Sequence, residues 1–130
     1  MTKSNNSYIL LVDDEKDILL LYGIWLTSDG YQTVSFDNPI EALHYLEKND
    51  NFSDCSLVIT DYKMPQMSGI DLIKKIREKD MNYKIKIMLI SAYLKNGILK
   101  DNPYLGKIDK ILEKPLTLDT LKKGISELID

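Results

Sequence analysis

The stretch Leu57–Gly69, LVITDYKMPQMSG, decides the fold. Its opening residues Leu57, Val58 and Ile59 are apolar without alternation, the pattern of a strand covered on both faces as in a parallel sheet. The run ends on one carboxylate, Asp61. Pro65 and Gly69 then keep the turn rigid and tight before a helix opens near Ser68. In an open α/β sheet the carboxyl ends of the strands form the ligand crevice, so Asp61 stands where chemistry is usually placed. A lone aspartate at a strand end is most simply a turn former or helix cap, and its meaning depends on what surrounds it.

Upstream, Tyr8–Val12 is a second apolar run that ends in acid, at Asp13, Asp14 and Glu15. Ile18, Leu21, Tyr22 and Trp25 follow at helical spacing up to the stop signal Asp29-Gly30. Tyr31–Phe36 alternates weakly and carries β-branched residues, which suits a shorter, more exposed edge strand. Asp37-Asn38-Pro39 caps a helix with Ile40, Leu43 and Leu46 on one face.

Downstream, a helix over Ser68–Lys79 turns Ile70, Ile73 and Ile76 inward, and Ile85–Ile90 forms a fourth strand ending at Ser91-Ala92. Tyr93–Lys107 contains the breakers Asn96-Gly97 and Asn102-Pro103, so any helix there is short and the segment is expected to be mobile. Ile108–Leu112 makes a fifth strand that runs into Glu113-Lys114-Pro115. Thr117 caps a last helix carrying Leu118, Leu121, Ile125 and Leu128. Five strands alternating with helices imply a parallel sheet covered on both faces through right-handed crossovers.

At 130 residues, 44% hydrophobic and 28% charged, the chain fits one domain over 8–130 behind a polar tail over 1–7. A net charge of −3 gives no electrostatic footprint for direct nucleic-acid contact or an anionic membrane. The single cysteine, Cys55, forms no internal disulfide, which points to a reducing compartment and away from structural zinc. The polar start MTKSNNSY and the early break at Asp13 and Asp14 leave no secretory or membrane-inserting segment, so a cytoplasmic location is expected.

The fold reading brings Asp13, Asp14, Asp61, Ser91 and Lys114 to one edge of the sheet. Three carboxylates a few ångströms apart repel by about 1–4 kcal/mol per pair at partly solvated dielectrics, so a cation must offset them. Mg²⁺ takes one or two carboxylates, keeps waters and leaves room for a phosphoryl oxygen. Lys114 as a point charge and Ser91 as a hydroxyl donor complete a site for in-line transfer of a phosphoryl group to Asp61 as a carboxylate nucleophile.

The acidic pair in LLVDDE, the D-x-x-M-P-x-M-x-G pattern from Asp61, the hydroxyl in MLISAY and the lysine in ILEKPL occur in order on the expected strands. With these residues the chain, from Tyr8 to Leu128, resembles the response-regulator receiver domain, the CheY-like family of two-component signalling. The resemblance implies a flavodoxin-like (βα)5 sandwich with strand order 2-1-3-4-5. It implies a phosphorelay switch rather than an enzyme acting on other substrates. Asp61 would be the phosphoacceptor. Asp14 and Asp61 would bind Mg²⁺ or Mn²⁺ through their carboxylates, Asp13 through metal-bound water and Tyr62 through its backbone carbonyl. Ser91 and Lys114 would sense the phosphoryl group, and Lys114-Pro115 would be a cis peptide.

The phosphoryl donor so implied is a phosphohistidine on a sensor histidine kinase or a histidine phosphotransfer protein. Output would run to a partner protein through the helix between the fourth and fifth strands, the fifth strand and the last helix. One position departs from the family. Three residues before the lysine, where a Tyr or Phe is usual, the chain has Ile111, and neither Tyr93 nor Tyr104 is an established substitute. The expectation is that phosphorylation shifts order over Tyr93–Lys107 instead of turning one ring. Lys63, two residues after Asp61, falls at the mouth of the site, as a solvated side chain or as a modulator of the phosphoryl lifetime.

His44 reads as a surface residue, Cys55 as packing, Trp25 as core, and Lys74-Lys75, Arg77 and Lys79 as a solvated helix face. Lys122-Lys123 lies on the last helix. A Mg²⁺-dependent phosphohydrolase of the haloacid-dehalogenase type would want a second acid two residues after the nucleophile, where Lys63 stands, and the length leaves no cap domain. An FMN site would want a glycine- and hydroxyl-rich loop where Asp13, Asp14 and Glu15 stand. A non-phosphorylated receiver-like interaction domain would have no need of the full set of site groups.

Overall fold

Five parallel strands form in the order β2-β1-β3-β4-β5. The computed structural model describes residues 6–92, 102–103 and 105–130. Its strands are β1 (Tyr8–Val12), β2 (Thr33–Phe36), β3 (Cys55–Asp61), β4 (Lys86–Ser91) and β5 (Lys110–Glu113). Its helices are α1 (Lys16–Ser28), α2 (Pro39–Leu46), the one-turn α3 (Asn51–Asp54), α4 (Gly69–Lys79) and α5 (Leu118–Ile129), and a 3-10 turn spans Leu105–Lys107. The architecture is the flavodoxin-like sandwich expected. The readings made for Tyr93, for Tyr104 and for a helix after β4 lie outside the described residues, as does all of the N-terminal tail but Asn6 and Ser7.

Side chains alternate across a strand, and the two faces of the sheet collect separate cores. Leu10, Val12, Val58, Ile87 and Leu89 pack with Ala42 and Leu46 of α2 and with Ile70, Ile73 and Ile76 of α4. Ile9, Leu11, Leu57, Ile59, Met88 and Ile90 pack with Leu19, Tyr22 and Leu26 of α1 and Leu121, Ile125 and Ile129 of α5. The caps act as read: Asn38 accepts from Ile40 and Glu41, Ser68 from Asp71 and Thr117 from Thr120. Gly30, at φ 91°, follows the end of α1 in the left-handed region that glycine enters freely.

Three readings of side-chain placement change. Leu21 and Ile40, expected to face inward, are exposed, while Leu19, Leu26 and Ala42 take the buried positions. Helix α1 is apolar nearly all round, so its sequence does not choose a face, and Leu20 and Ile24 remain at 66% and 53% exposure. Trp25 is half-buried and stacked on Tyr22 rather than enclosed. Arg77, assigned to a solvated face, is 4% exposed. Its guanidinium donates to Asp80 at 3.0 Å, to Asp109 at 2.9 Å and to the carbonyls of Ile85 and Lys107 at 2.7 and 2.9 Å. Burial of the cation is offset by those four acceptors, two of them carboxylates.

Candidate functional site

Strand register carries the acidic residues to one place. Val12 pairs with Thr60, so Asp13, one residue further, emerges level with Asp61 at the end of β3. Asp61 pairs with Ile90, and Ser91 pairs with Glu113, which sets Lys114 just beyond the carboxyl edge. The Lys114 N–H donates to the Ser91 carbonyl at 2.9 Å, and the Lys114–Pro115 peptide is cis.

The loop after β3 is held as tightly. The Tyr62 N–H donates to the Ile90 carbonyl at 2.9 Å, and the Gly69 N–H returns to the Tyr62 carbonyl at 2.7 Å. A Cβ at Gly69 would lie 2.2 Å from the Asp61 carbonyl oxygen, so only glycine permits the close approach of α4 to the end of β3.

Asp13 and Asp61 are buried and Asp14 is exposed, and one carboxylate oxygen from each lies within 4.8 Å of the others. Lys114 Nζ stands 3.0 Å from Asp13 Oδ2, 3.2 Å from Asp61 Oδ1 and 3.8 Å from Glu15 Oε1. Asp14, Glu15, Asp61, Lys63, Met64, Pro65, Ala92 and Lys114 line a pocket of about 370 Å³.

Burial, reinforced by the charge of Asp13, pushes the Asp61 carboxyl up to about 6 against the pull of Lys114. Burial also raises Asp13, against the Glu15 N–H and Lys114. Burial works to lower the Lys114 ammonium, yet the hydrogen bond and charge of Asp13, joined by Asp61, carry it above its ordinary value. Acids raised chiefly by burial, beside a lysine raised by those same acids, mark carboxylates kept from water next to one cation. The donors are all hard oxygens, which fits a divalent cation of the Mg²⁺ kind and not a soft metal.

The structure thus brings together Asp13, Asp14, Asp61, Lys63 and Lys114. Ser91 is fully buried at the end of β4, and its neighbour Ala92 forms the pocket wall. Ile111 is half-buried in β5 against the α2/α4 core. The Tyr62 carbonyl already accepts one hydrogen bond. Sequence reasoning left Glu15 without a role, although its place in the acidic turn was the signal, and it missed Met64 and Pro65 as pocket walls.

Residues 9–126 match the family described as Response regulator receiver domain. The chain belongs to that family. Among similar proteins, chemotaxis protein CheY-3 of Vibrio cholerae is 30% identical over 128 residues, covering 98% of this chain and 95% of that one. Sporulation initiation phosphotransferase F of Bacillus subtilis is 28% identical, covering 95% of this chain and 94% of its own length. The response regulator protein TrrA from Thermotoga maritima, solved in complex with Mg²⁺-BeF, superposes with a TM-score of 0.79 at 31% identity, over 95% of this receiver and 99% of that chain. The protein is a phosphorelay receiver module: it accepts a phosphoryl group on an aspartate and switches partner interactions. No helix among the described residues is long and apolar enough to cross a membrane.

Proposed function

We propose that Asp61 is the phosphoacceptor of this receiver, with Lys114 and Ser91 as the groups that meet the transferred phosphoryl. The observation that carries the reading is Lys114 Nζ at 3.2 Å from Asp61 Oδ1 and 3.0 Å from Asp13 Oδ2, beside a pocket open to a donor. Asp14 and Asp61 would hold Mg²⁺ (or Mn²⁺) directly and Asp13 through water, with the second lone pair of the Tyr62 carbonyl as the backbone contribution. The similarity to a receiver solved with Mg²⁺-BeF supports that cofactor. When bound, the ion neutralises charge on the phosphoryl oxygens and on the carboxylates.

The residues supply the rest of the chemistry. Asp61 is mostly ionised at neutral pH, because its carboxyl titrates near 6. One Asp61 oxygen attacks phosphorus in line, the P–N bond of a phosphohistidine breaks, and its electron pair returns to the imidazole nitrogen. Lys114, held by Asp13 throughout, turns its charge toward the new phosphoryl oxygens. Hydrolysis reverses the loading when water attacks phosphorus and the Asp61 P–O bond breaks.

The donor is a sensor histidine kinase or a histidine phosphotransfer protein, and residues 8–130 act as one receiver unit in the cytoplasm. Output passes through the segment between β4 and β5, through β5 and through α5. With Ile111 in the position usual for an aromatic ring, output does not run through the turning of one ring at that place. Lys63 at the pocket lip sets how long the phosphoryl group lasts.

Incubation with a phosphodonor and Mg²⁺ followed by intact mass measurement tests the central reading. The wild type should gain one phosphoryl group and lose it on hydrolysis, while Asp61→Asn and a chelator-treated wild type should gain none. Labelling of Asp61→Asn at the wild-type level would overturn the assignment.

A further inference from the structure

Among the described residues strand β5 lies at an edge of the sheet and pairs with β4 alone, yet it must deliver Lys114 to within hydrogen-bond reach of two carboxylates. Its own pattern specifies register weakly. Lys110–Glu113 holds two apolar residues, Ile111 and Leu112, both half-buried and on opposite faces. A slip of one residue would shift Lys114 by about 3.3 Å and turn its side chain to the other face of the sheet.

The amino end of β5 is gripped by the one arginine side chain that the sequence suggested was solvated. Arg77 Nη2 donates to Asp109 Oδ2 at 2.9 Å, and the same oxygen accepts the Ile87 N–H of β4 at 2.8 Å. The Asp109 N–H donates to the Ile87 carbonyl at 2.9 Å. Arg77 Nε holds the Lys107 carbonyl at 2.9 Å while Nη1 holds the Ile85 carbonyl at 2.7 Å, so one planar fork spans the segment before β5 and the residue before β4.

Asp80 fixes the fork itself, accepting from Arg77 as well as from the Lys84 and Ile85 N–H groups. The Tyr83 ring, 4.4 Å from the guanidinium carbon, covers it. A buried guanidinium with this many directed contacts measures a fixed distance between two strand starts, which a hydrophobic contact does not do.

We infer that Arg77 and Asp109 are positioning residues for the phosphoryl chemistry: they lock the register of β5 against β4 and thereby place Lys114 Nζ between Asp13 and Asp61. The lock works from the opposite end of the strand, five residues and about 16 Å from Lys114. The inference rests on the reading of Lys114 as the cation that meets the phosphoryl group. It adds that the placement of this cation is set at the far edge of the sheet, where no substrate reaches.

The test follows the side-chain Cε–Hε resonance of Lys114, assigned by its loss in Lys114→Arg, in the wild type, Asp109→Ala, Arg77→Met and Arg77→Lys. In the wild type this resonance should stand apart from those of exposed lysines, because Lys114 Nζ is held between Asp13 and Asp61. It should move toward them in Asp109→Ala and Arg77→Met, and partly so in Arg77→Lys, which keeps the charge and loses the fork. Phosphorylation at saturating donor should fall about tenfold or more in the first two variants with the half-saturating donor concentration unchanged, as misplacement of a bound group predicts.

Measurements are made well below each melting temperature, so loss of stability alone moves neither readout. Should either variant fail to fold, Asp109→Asn, at a position whose side chain is 25% exposed, takes its place. A Lys114 resonance unmoved by every folded variant overturns the lock. A wild type that takes up no phosphoryl group sinks the functional reading instead, and the lysine resonance still decides this one.

Discussion

Replacing Asp61 by asparagine should make the metal-free protein more stable, an outcome opposite to that of most substitutions at a buried site. The folded carboxyl titrates at about 6 against an ordinary value of 3.8. At about 1.4 kcal/mol per unit, the charged side chain weakens the fold by about 3 kcal/mol above pH 6 relative to its protonated form. The sign follows from proton counts. Between pH 4 and 6 the folded chain holds a proton that the unfolded chain has released, so stability due to Asp61 falls as pH rises through that window. Above 6 it is constant at its lowest value, and below about 4 the group is protonated in both states and the penalty is gone.

Asparagine keeps the shape and removes the charge. The attraction of Lys114, which keeps Asp13 at 3.0 Å, is already contained in the raised value, so the net gain is about 3 kcal/mol at pH 7.5, a rise of roughly 10–12 °C in melting temperature. Urea unfolding with a chelator present, at pH 7.5 and again at pH 4.5, is the assay. The gain should shrink by roughly two-thirds at pH 4.5, where the wild-type carboxyl is already largely protonated. A loss of stability at pH 7.5, or a gain of equal size at both pH values, would refute the account of a carboxylate destabilised by burial and by the charge of Asp13.

Gly69→Ala drives a Cβ to 2.2 Å from the Asp61 carbonyl oxygen. It should cost roughly 2–3 kcal/mol in urea unfolding and slow phosphorylation by displacing the end of β3. Arg77→Met leaves Asp80 buried without its counter-charge and should cost about 3–5 kcal/mol. Lys74→Met, on the exposed face of the same helix, should stay within about 0.5 kcal/mol, and equal losses in the two would restore the solvated reading of Arg77. The Cys55 thiol, pushed up to about 12 by burial, should react with a disulfide reagent at pH 8 only as fast as the chain opens. Rapid stoichiometric labelling of the native protein would contradict its enclosure. Lys63→Asn should change the phosphoryl lifetime several-fold when dephosphorylation is timed, and an unaltered lifetime would return Lys63 to a solvated role.

The sequence by itself determined the order of the strands, the fold class and which acidic and basic groups reach one edge of the sheet. Short apolar runs rich in β-branched residues and bounded by turn signals read as doubly covered strands, and parallel strands joined through helices all present their carboxyl ends on one side. Asp13, Asp61 and Ser91 each close such a run and Lys114 follows the fifth strand, so their arrival at one edge of the sheet follows from connectivity. Cap residues at Asn38, Ser68 and Thr117 were equally legible because they act within one turn of chain.

Only the tertiary structure decided which apolar face of α1 turns inward, because Ile18–Leu26 is apolar nearly all round and the choice belongs to the sheet and α5. Only it showed Arg77 as a buried hub, since the partners Asp80, Ile85, Lys107 and Asp109 are up to 32 residues away and a charge among lysines on a helix carries no local mark of burial. The same reason governs the site's electrostatics. A carboxyl held near 6 depends on how close Asp13, Asp61 and Lys114 come and how little water reaches them, and both are set by strand register, which the order of residues along the chain does not fix.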